Sequence, residues 1–254
     1  MRCKWCNLNN QKYIEYHDNE WCQPNFSDKY LLEMLLLESF QAGLSFECVL
    51  NKRENFKKAY DDFDLDKICN YDDKKINELL NDKGIIRNKR KIISSIQNSK
   101  IFKSIVEEHE SFYNYLKRFT EDKIIYENNK TTNIISDMIS KDLKSRKMKF
   151  VGSVIIYSYL QSIGVIYSHE KNCFLYCSLI KNISKIHTTK MGYDRISKNL
   201  NLKCDVVKYL KNKILSKDCL IYKKGKNWYC EVNDIIITIN SYSYTIITAH
   251  INKR

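Results

Sequence analysis

The spacing of apolar residues divides the chain into two parts. Up to about residue 167, apolar residues recur at the three- and four-residue intervals of amphipathic helices, as at Val151, Ile155 and Tyr159. This part is predicted to be all-α. The predicted helices lie near residues 27–42, 45–60, 73–81, 88–102, 110–119, 131–143 and 151–166.

After Cys177 the pattern is typical of a small α+β module. Two helical stretches, near 189–200 and 204–217, precede four runs rich in Ile, Thr, Tyr and Val. The runs cover 219–223, 227–232, 234–240 and 243–249 and are separated by turn signals. The sequence thus predicts a mainly α protein with two domains. A helical domain covers 1–177, and a basic α+β domain with an antiparallel sheet covers 178–254.

Length and composition favour a soluble, folded chain. Its 254 residues suffice for two modest cores, and one proline and six glycines leave little material for flexible linkers. No run approaches the roughly 20 apolar residues that cross a bilayer, and the first residues lack the apolar core of a secretory signal. We therefore expect a cytoplasmic monomer with no membrane contact. Its ten cysteines are expected to be free thiols or metal ligands rather than disulfides.

The net charge of +13 is unevenly distributed. From Ser178 onward there are 15 Lys and Arg residues against 5 Asp and Glu residues, whereas the preceding part has a surplus of only 3 positive charges. A positive field of this kind attracts phosphate-rich partners, and a merely solubilising surface is the alternative. We expect an additional nucleic-acid contact through the C-terminal domain.

Two groups of residues are candidates for chemistry. Cys3, His17 and the pair His169 and Cys173 could supply two thiolates and two imidazoles, which suit tetrahedral zinc. The pair alone is equally compatible with a buried cysteine and an exposed histidine. Glu38 follows three leucines, and a carboxylate buried there would need a partner, usually a structural Arg or Lys.

A basic turn is predicted ahead of the helix near 88–102. Glycine at Gly84 permits a tight turn, and backbone N–H groups at the following helix start can bind a phosphate, helped by Arg87 and Lys89. An ordinary basic turn between helices is the alternative.

The motifs occur in an order and at spacings that resemble DNA-3-methyladenine glycosylase I, a branch of the helix-hairpin-helix DNA glycosylases, over residues 1–177. They are Arg2-Cys3, the segments 13–21, 37–38, 41–45, 49–55, 84–87 and 149–152, and His169. The resemblance implies a monofunctional base-excision repair enzyme. Such an enzyme flips 3-methyladenine out of alkylated double-stranded DNA and hydrolyses its N-glycosidic bond.

The resemblance also implies a role for each motif residue. Glu38 and Tyr16 would read the methylated base by hydrogen bonds, and Tyr13 and Phe46 would stack on it, Phe46 standing where the family generally has Trp. Glu38 is the catalytic candidate, although its expected role is base recognition and electrostatics, and no Asp is assigned to assist water. One structural zinc per chain would be bound by Cys3, His17, His169 and Cys173. DNA would be contacted by the wedge residues Gly43 and Leu44 and by Gly84, Ile85, Ile86, Arg87 and Lys89.

Residues 179–254 resemble a small uncharacterised bacterial domain family that also occurs alone. Their polar residues could form a phosphate-binding or ribonuclease-like site, or could cap helices and bind a nucleic-acid backbone without chemistry. These residues are His187, Arg195, Lys226, Thr248 and His250.

Three functions of different classes follow from these alternatives. The first is a repair glycosylase acting on DNA in the bacterial nucleoid. The second is a nucleic-acid-binding zinc protein without glycosylase activity. The third is a fusion with a C-terminal ribonuclease-like or partner-binding module. The presence of both Glu38 and Tyr16 favours the first, since a binding module has no need of an acid in a pocket.

Overall fold

A computed structural model describes residues 1–216 and 218–252. The predicted helix end at residue 217 and the last two residues of the predicted second domain lie outside the described residues. The helices are α1 (Gln11–Asn19), α2 (Asp28–Gln41), α3 (Phe46–Asn51), α4 (Arg53–Ala59), α5 (Leu65–Cys69), α6 (Asp73–Asn81), α7 (Lys89–His109), α8 (Phe112–Thr120), α9 (Ile134–Ser145), α10 (Ser153–Ser162), α11 (Ser178–Lys181), α12 (Lys190–Leu200) and α13 (Val206–Ile214). The strands are β1 (Ile124–Tyr126), β2 (Ile166–Tyr167), β3 (Leu220–Lys224), β4 (Asn227–Val232), β5 (Ile235–Asn240) and β6 (Ile246–Ile251).

The chain forms two compact units. One comprises residues 4–121 and 130–165, and the other comprises residues 1–3, 122–129 and the described residues from 166 onward. We call them the helical unit and the sheet unit. Among the described residues, no helix is long and apolar enough to cross a membrane.

Helix α2 forms the centre of the helical unit. Every residue from Tyr30 to Phe40 is buried, so the helix has no polar face. It packs against α3, α7, α8 and α10. Two acidic residues, Glu33 and Glu38, are carried into the interior by this burial.

Several helix bounds differ from the predicted ones for local reasons. The predicted helix over 45–60 is two helices, α3 and α4, joined at Lys52. The predicted helix over 151–166 ends at Ser162, because Gly164 adopts a φ of +79°. A side chain at Gly164 would also meet the backbone of Gln23 and Pro24 at 2.4 Å. The chain then continues as β2 rather than as helix.

The sheet has six strands in the order β2-β1-β3-β4-β5-β6. Strands β1 and β2 pair in parallel and all other neighbours are antiparallel, with Cys230 opposite both Ile221 and Ile237. The predicted antiparallel sheet over the C-terminal residues is confirmed, but β1 and β2 were not predicted. Because these two strands precede Cys177, the sheet is built from both sides of the predicted domain boundary, and that boundary stays a prediction.

Helices α12 and α13 cover one face of the sheet. Ile196 and Leu210 from these helices pack with Trp228 and Ile237 from the strands in one apolar core. The backbone carbonyls of β6 are also satisfied from the α12 segment. Thr188 Oγ1 donates to the Ile246 carbonyl at 3.0 Å, and Asn199 Nδ2 donates to the Ala249 carbonyl at 3.2 Å. The sheet unit therefore has its own core and its own hydrogen-bonding frame.

Candidate functional site

The Glu38 carboxyl group is buried in the helical unit and has no ion partner among residues 1–216 and 218–252. The residue is 2% exposed, and its Oε2 has no hydrogen-bond partner within the described part of the chain. Burial raises the pKa of Glu38 to about 8. The guanidinium of Arg53, by contrast, binds the carboxylates of Glu20 and Glu33. The carboxyl group is thus a candidate for binding a ligand rather than a member of a structural ion pair.

This burial predicts a pH-dependent cost in stability. In the unfolded chain the Glu38 carboxyl ionises near 4.5, whereas in the folded protein it keeps its proton up to about 8. Between these values the folded state binds more protons, so its free energy of unfolding falls as the pH rises, by about 1.4 kcal/mol per unit at most. We expect Glu38→Gln to remove this dependence in urea unfolding at pH 6 and pH 9. If the free energy of unfolding changed with pH in the same way for the wild type and Glu38→Gln, the prediction would be wrong.

Aromatic side chains lie near this carboxyl group, since the Glu38 charge acts on both Tyr13 and Tyr16. Tyr13 and Tyr16 lie buried on one face of α1, and Phe46 begins α3. The ring centroids of Tyr16 and Phe46 are 5.0 Å apart, and Trp5 packs at 5.0 Å from Tyr13. The structure therefore brings together the four residues predicted to bind the base. Trp5 was missed, and its position two residues after Cys3 was the only signal for it.

Both phenols are protonated donors at neutral pH. Burial raises the pKa of Tyr16 well above its usual value, and the charge of Glu38 raises it further. Burial also raises the pKa of Tyr13 to about 12, with smaller contributions from Glu47, Cys6 and Glu38. The pocket therefore offers O–H donors and one carboxyl group in a low-dielectric, aromatic enclosure. It can hold a flat cation by charge, hydrogen bonds and ring stacking.

An ion network fixes the helices that carry the pocket. Arg53 on α4 donates from Nη1 to Glu20 at 2.7 Å and from Nε to Glu33 on α2 at 2.7 Å. The Tyr30 hydroxyl also donates to Glu20, at 2.9 Å. Glu20 directly follows α1, so α1, α2 and α4 are tied together at this point. Sequence analysis did not assign these residues, because charges from separate segments gave no local pattern.

The predicted wedge lies directly after α2. Gly43 adopts a φ of +78°, which only glycine adopts without strain, and the Leu44 amide donates to the Gln41 carbonyl at 2.6 Å. This tight turn leaves the Leu44 side chain 43% exposed. An exposed apolar side chain on a fixed turn is the form that a base-step wedge takes in DNA-bending proteins.

The basic turn predicted from Gly84 to Lys89, which we call the hairpin, differs in one detail from the expectation. Gly84 does not adopt a positive φ, so it is not needed for the turn itself. A side chain there would meet Asp82 at 2.9 Å and Asn55 at 3.1 Å, so close packing is the reason for glycine. Ile85 is buried and Ile86 half-buried, whereas Arg87 and Lys89 are exposed. The isoleucines thus anchor the turn, and the two cations face solvent.

Three of the predicted metal ligands meet in the sheet unit. The Sγ atoms of Cys3 and Cys173 lie 3.6 Å and 3.5 Å from Nδ1 of His169. Tetrahedral zinc with sulfur and imidazole ligands at its usual bond lengths separates S and N by about 3.6 Å. The backbone amides of Glu170 and Leu175 donate to the two sulfurs, at 3.3 Å and 3.4 Å. The three side chains therefore fit a zinc ion.

His17, the fourth predicted ligand, lies on α1 of the helical unit. Its ring is fully buried, and Nδ1 lies 2.8 Å from Oδ1 of Asp18. A carboxylate at Nδ1 directs Nε2 of a histidine to a metal. All four predicted ligands are thus buried thiol or imidazole groups, a donor set that could hold a metal ion.

Two of the polar residues predicted for a C-terminal site, His187 and His250, lie near opposite ends of β6. His187 bridges to Thr245 just before β6, and its Nε2 lies 3.2 Å from Thr245 Oγ1. His250 lies five residues further along the chain, roughly 16 Å away at strand spacing. Arg195 donates to the Ile247 carbonyl. Within one chain, His187 and His250 are therefore too far apart to act together as the two histidines of a ribonuclease-like site.

The helical unit has the features of a protein that binds an extruded, positively charged nucleobase. A buried carboxyl group with aromatic walls lies on the helix that leads into an exposed wedge, and a basic hairpin is part of the same unit. These features together define the class of base-flipping DNA glycosylases.

Comparisons with known proteins agree with this class. Residues 5–176 match the family model described as Methyladenine glycosylase. DNA-3-methyladenine glycosylase 1 of Escherichia coli (strain K12) is 37% identical over 182 residues, which cover 69% of this chain and 96% of that protein. The chain belongs to the methyladenine glycosylase family. Residues 180–250 match a second model, described as Protein of unknown function (DUF3781).

Solved structures show the same relationship. A crystal structure of 3-methyladenine DNA glycosylase I has a TM-score of 0.67 and 35% identity, and the match covers 70% of this chain and 100% of that one. A variant of 3-methyladenine DNA glycosylase I in complex with 3-methyladenine has a TM-score of 0.66 and 27% identity, covering 70% and 98%. The resemblance found in the sequence is therefore confirmed.

Proposed function

We propose that this chain is a DNA-3-methyladenine glycosylase that hydrolyses the N-glycosidic bond of 3-methyladenine in alkylated duplex DNA. The observation that carries the proposal is the buried Glu38 carboxyl group, whose Oε2 has no hydrogen-bond partner among the described residues. It lies near Tyr13 and Tyr16, and the ring of Tyr16 packs against Phe46. The test is a base-release assay on alkylated DNA that separates 3-methyladenine from 7-methylguanine. Absence of 3-methyladenine release by the folded, metal-loaded protein would reject the proposal.

The pocket selects the damaged base by its charge. Methylation at N3 makes adenine in DNA cationic, and a cation beside Glu38 stabilises the ionised carboxylate that burial alone disfavours. The rings of Tyr13 and Phe46 stack on the base, and the Tyr16 hydroxyl donates to it. Undamaged adenine is neutral and leaves the carboxyl group uncompensated. Recognition therefore follows from desolvation and charge rather than from shape alone.

The reaction itself asks little of the protein. The bond between the sugar C1′ and the base nitrogen breaks, its electron pair goes to the base, and water supplies the oxygen that C1′ gains, with loss of one proton. Because the leaving base is cationic beforehand, strong acid catalysis is not needed. Glu38 contributes by holding the base and by opposing the positive charge that moves to the sugar.

Extrusion of the base depends on the wedge and the hairpin. Leu44 fills the space that the flipped nucleotide leaves, and Gly43 lets the backbone approach the duplex. Backbone amides of the segment 84–86, with the side chains of Arg87 and Lys89, bind a phosphate. Base pocket, wedge and phosphate contact thus all belong to the helical unit.

Charge reversal at the hairpin is expected to weaken binding to any duplex. Arg87→Glu and Lys89→Glu each remove a phosphate contact, so the slope of log affinity against log salt should fall by about 0.9 per contact. Anisotropy titrations at several salt concentrations measure it. Lys74→Glu, the same change of charge at an exposed lysine of α6, is the control. Equal salt slopes for the wild type and the hairpin variants would count against the contact.

One zinc ion is proposed to be bound by Cys3, His169, Cys173 and His17. The geometry of the three ligands in the sheet unit and the Asp18 contact of His17 support it. With four protein ligands the ion has a structural role and leaves no open position for substrate. We propose that the enzyme acts as a monomer.

The C-terminal module is proposed to add sequence-independent contacts to DNA. Lys198 on α12 and Lys208 on α13 are exposed, within a segment that carries a surplus of 10 positive charges. Such contacts lengthen sliding on undamaged DNA without changing which base is excised. Simple truncation after Cys177 would be a poor test, because β3 is the antiparallel partner of β1.

Charge reversal provides the cleaner test of this module. Lys198→Glu combined with Lys208→Glu should weaken binding to undamaged duplex and make its salt dependence shallower, while the rate of excision at saturating enzyme stays unchanged. The matched control is Lys141→Glu with Lys144→Glu, two exposed lysines of α9. Indistinguishable salt slopes for the two double variants would remove the module from DNA binding.

A further inference from the structure

Lys91 is the buried member of a run of cations at the start of α7. Lys89 and Arg90 are exposed, whereas Lys91 is 8% exposed and points into the helical unit. The sequence presents these residues as one basic cluster suited to phosphate. The structure separates them, and Lys91 has partners within the protein.

The partners of Lys91 are the last carbonyls of α2. Its Nζ donates to the Phe40 carbonyl at 2.8 Å and to the Ala42 carbonyl at 2.6 Å. Carbonyls at a helix C-terminus have no partner within the helix and favour a cation. Ala42 directly precedes Gly43 and the turn that exposes Leu44, so the Lys91 ammonium holds the base of the wedge.

The backbone of Lys91 lies in the first turn of α7, directly after the hairpin. Asn88 begins α7 as its N-cap, and its side chain accepts from the Lys91 amide at 3.1 Å. Lys91 thus makes two connections. Its backbone amide takes part in the N-cap of the helix that follows the phosphate-binding turn, and its side chain contacts the backbone next to the wedge. About 50 residues of chain separate these two elements, and Lys91 joins them directly.

A second lysine holds the other end of the hairpin. Lys52, at the junction of α3 and α4, donates from Nζ to the carbonyls of Lys83 and Gly84 at 3.2 Å and 3.1 Å. The Asn55 amide also donates to the Gly84 carbonyl, at 3.3 Å. The turn is therefore fixed to the pocket helices at both of its ends.

We propose that Lys91 is a positioning residue that sets the distance between the phosphate-binding hairpin and the Leu44 wedge. This proposal rests on the proposed glycosylase function. When the hairpin binds a phosphate, the fixed distance places Leu44 at the nucleotide to be extruded. Lys91 touches neither the base nor the DNA in this role. It acts through the backbone of Phe40 and Ala42.

The test uses Lys91→Met in the full chain, with Lys91→Arg as the rescue and Lys100→Met, an exposed lysine of the same helix, as the matched control. Misplacing the wedge should slow single-turnover excision by about tenfold or more for Lys91→Met. Affinity for undamaged duplex and for free 3-methyladenine should each change by less than about twofold, because hairpin and pocket persist. Lys91→Arg, which keeps a donor, should recover most of the rate.

The outcomes separate this proposal from the others. Loss of free-base binding in Lys91→Met would show a general structural role and overturn it, as would unimpaired excision. A wild-type protein that releases no base would reject the glycosylase proposal instead. In that case the test uses a DNA duplex that carries 2-aminopurine beside an abasic analogue. The fluorescence of 2-aminopurine then reports insertion of Leu44 into the duplex, and no bond needs to be cleaved. Equal fluorescence changes for the wild type and Lys91→Met would then overturn the role of Lys91.

Discussion

Replacing Glu38 by glutamine is expected to slow release of 3-methyladenine by about 100-fold or more, which corresponds to ~2.7 kcal/mol of transition-state stabilisation. Glutamine keeps the size of the side chain but has no charge to oppose the cationic base. Since Glu38 is buried in the pocket, affinity for undamaged duplex should be largely kept. Single-turnover excision kinetics and anisotropy titrations measure the two effects.

A matched control excludes a general effect of losing a carboxylate. Glu54, on α4, is exposed, and Glu54→Gln should leave both excision and binding unchanged. Folding of Glu38→Gln is checked by its melting temperature at pH 6, where the carboxyl group of the folded wild type is protonated. Excision by Glu38→Gln at the wild-type rate would remove Glu38 from the site.

The second large effect is expected at the proposed zinc site. Cys3→Ser should lose the metal and lower the melting temperature by about 10 °C or more, given 2–4 °C per kcal/mol for a chain of this size. A thiolate lost from a four-ligand site leaves two buried imidazoles and one thiol without their cation. Metal analysis, expected to give one zinc per wild-type chain, and thermal unfolding with and without a chelator measure it.

A second cysteine serves as the control for this experiment. Cys6 is also buried and close in sequence, its Sγ donates to the Tyr13 carbonyl at 3.8 Å, and it does not belong to the group of four candidate ligands. Cys6→Ser should keep its zinc. A wild-type protein that is free of zinc and equally stable after chelation would reject the site.

Periodicity predicted α2 well because its burial is complete over many residues, whereas α7 was predicted to end near residue 102 and continues to His109. Helix α2 was placed within one residue at each end, since its apolar run has clear limits. Helix α1 was missed because its buried residues are Tyr13, Tyr16 and His17, which carry little apolar signal. Strands β1 and β2 have three and two residues, so pairing with distant segments defines them rather than local pattern.

The site shows the same limit. Family motifs in the sequence located Glu38, Tyr13, Tyr16 and Phe46, and the structure brings them together. Sequence did not distinguish Lys91 from Lys89, because burial depends on which turn of α7 faces α2. Sequence also did not show that Arg53 binds both Glu20 and Glu33, which lie on separate segments. The burial and ion pairing of these side chains depend on partners that are distant in sequence.

The desolvated carboxyl group of Glu38 also has a consequence for turnover. Cleavage transfers the bond electrons to the base, so the cation that stabilised the carboxylate becomes a neutral molecule within the pocket. Burial then favours the protonated acid again, since its pKa of about 8 lies above neutral pH. The attraction that drew the substrate in thus ends with the reaction. With the role proposed for Glu38, release of the free base thus depends on the same buried side chain that selects the lesion.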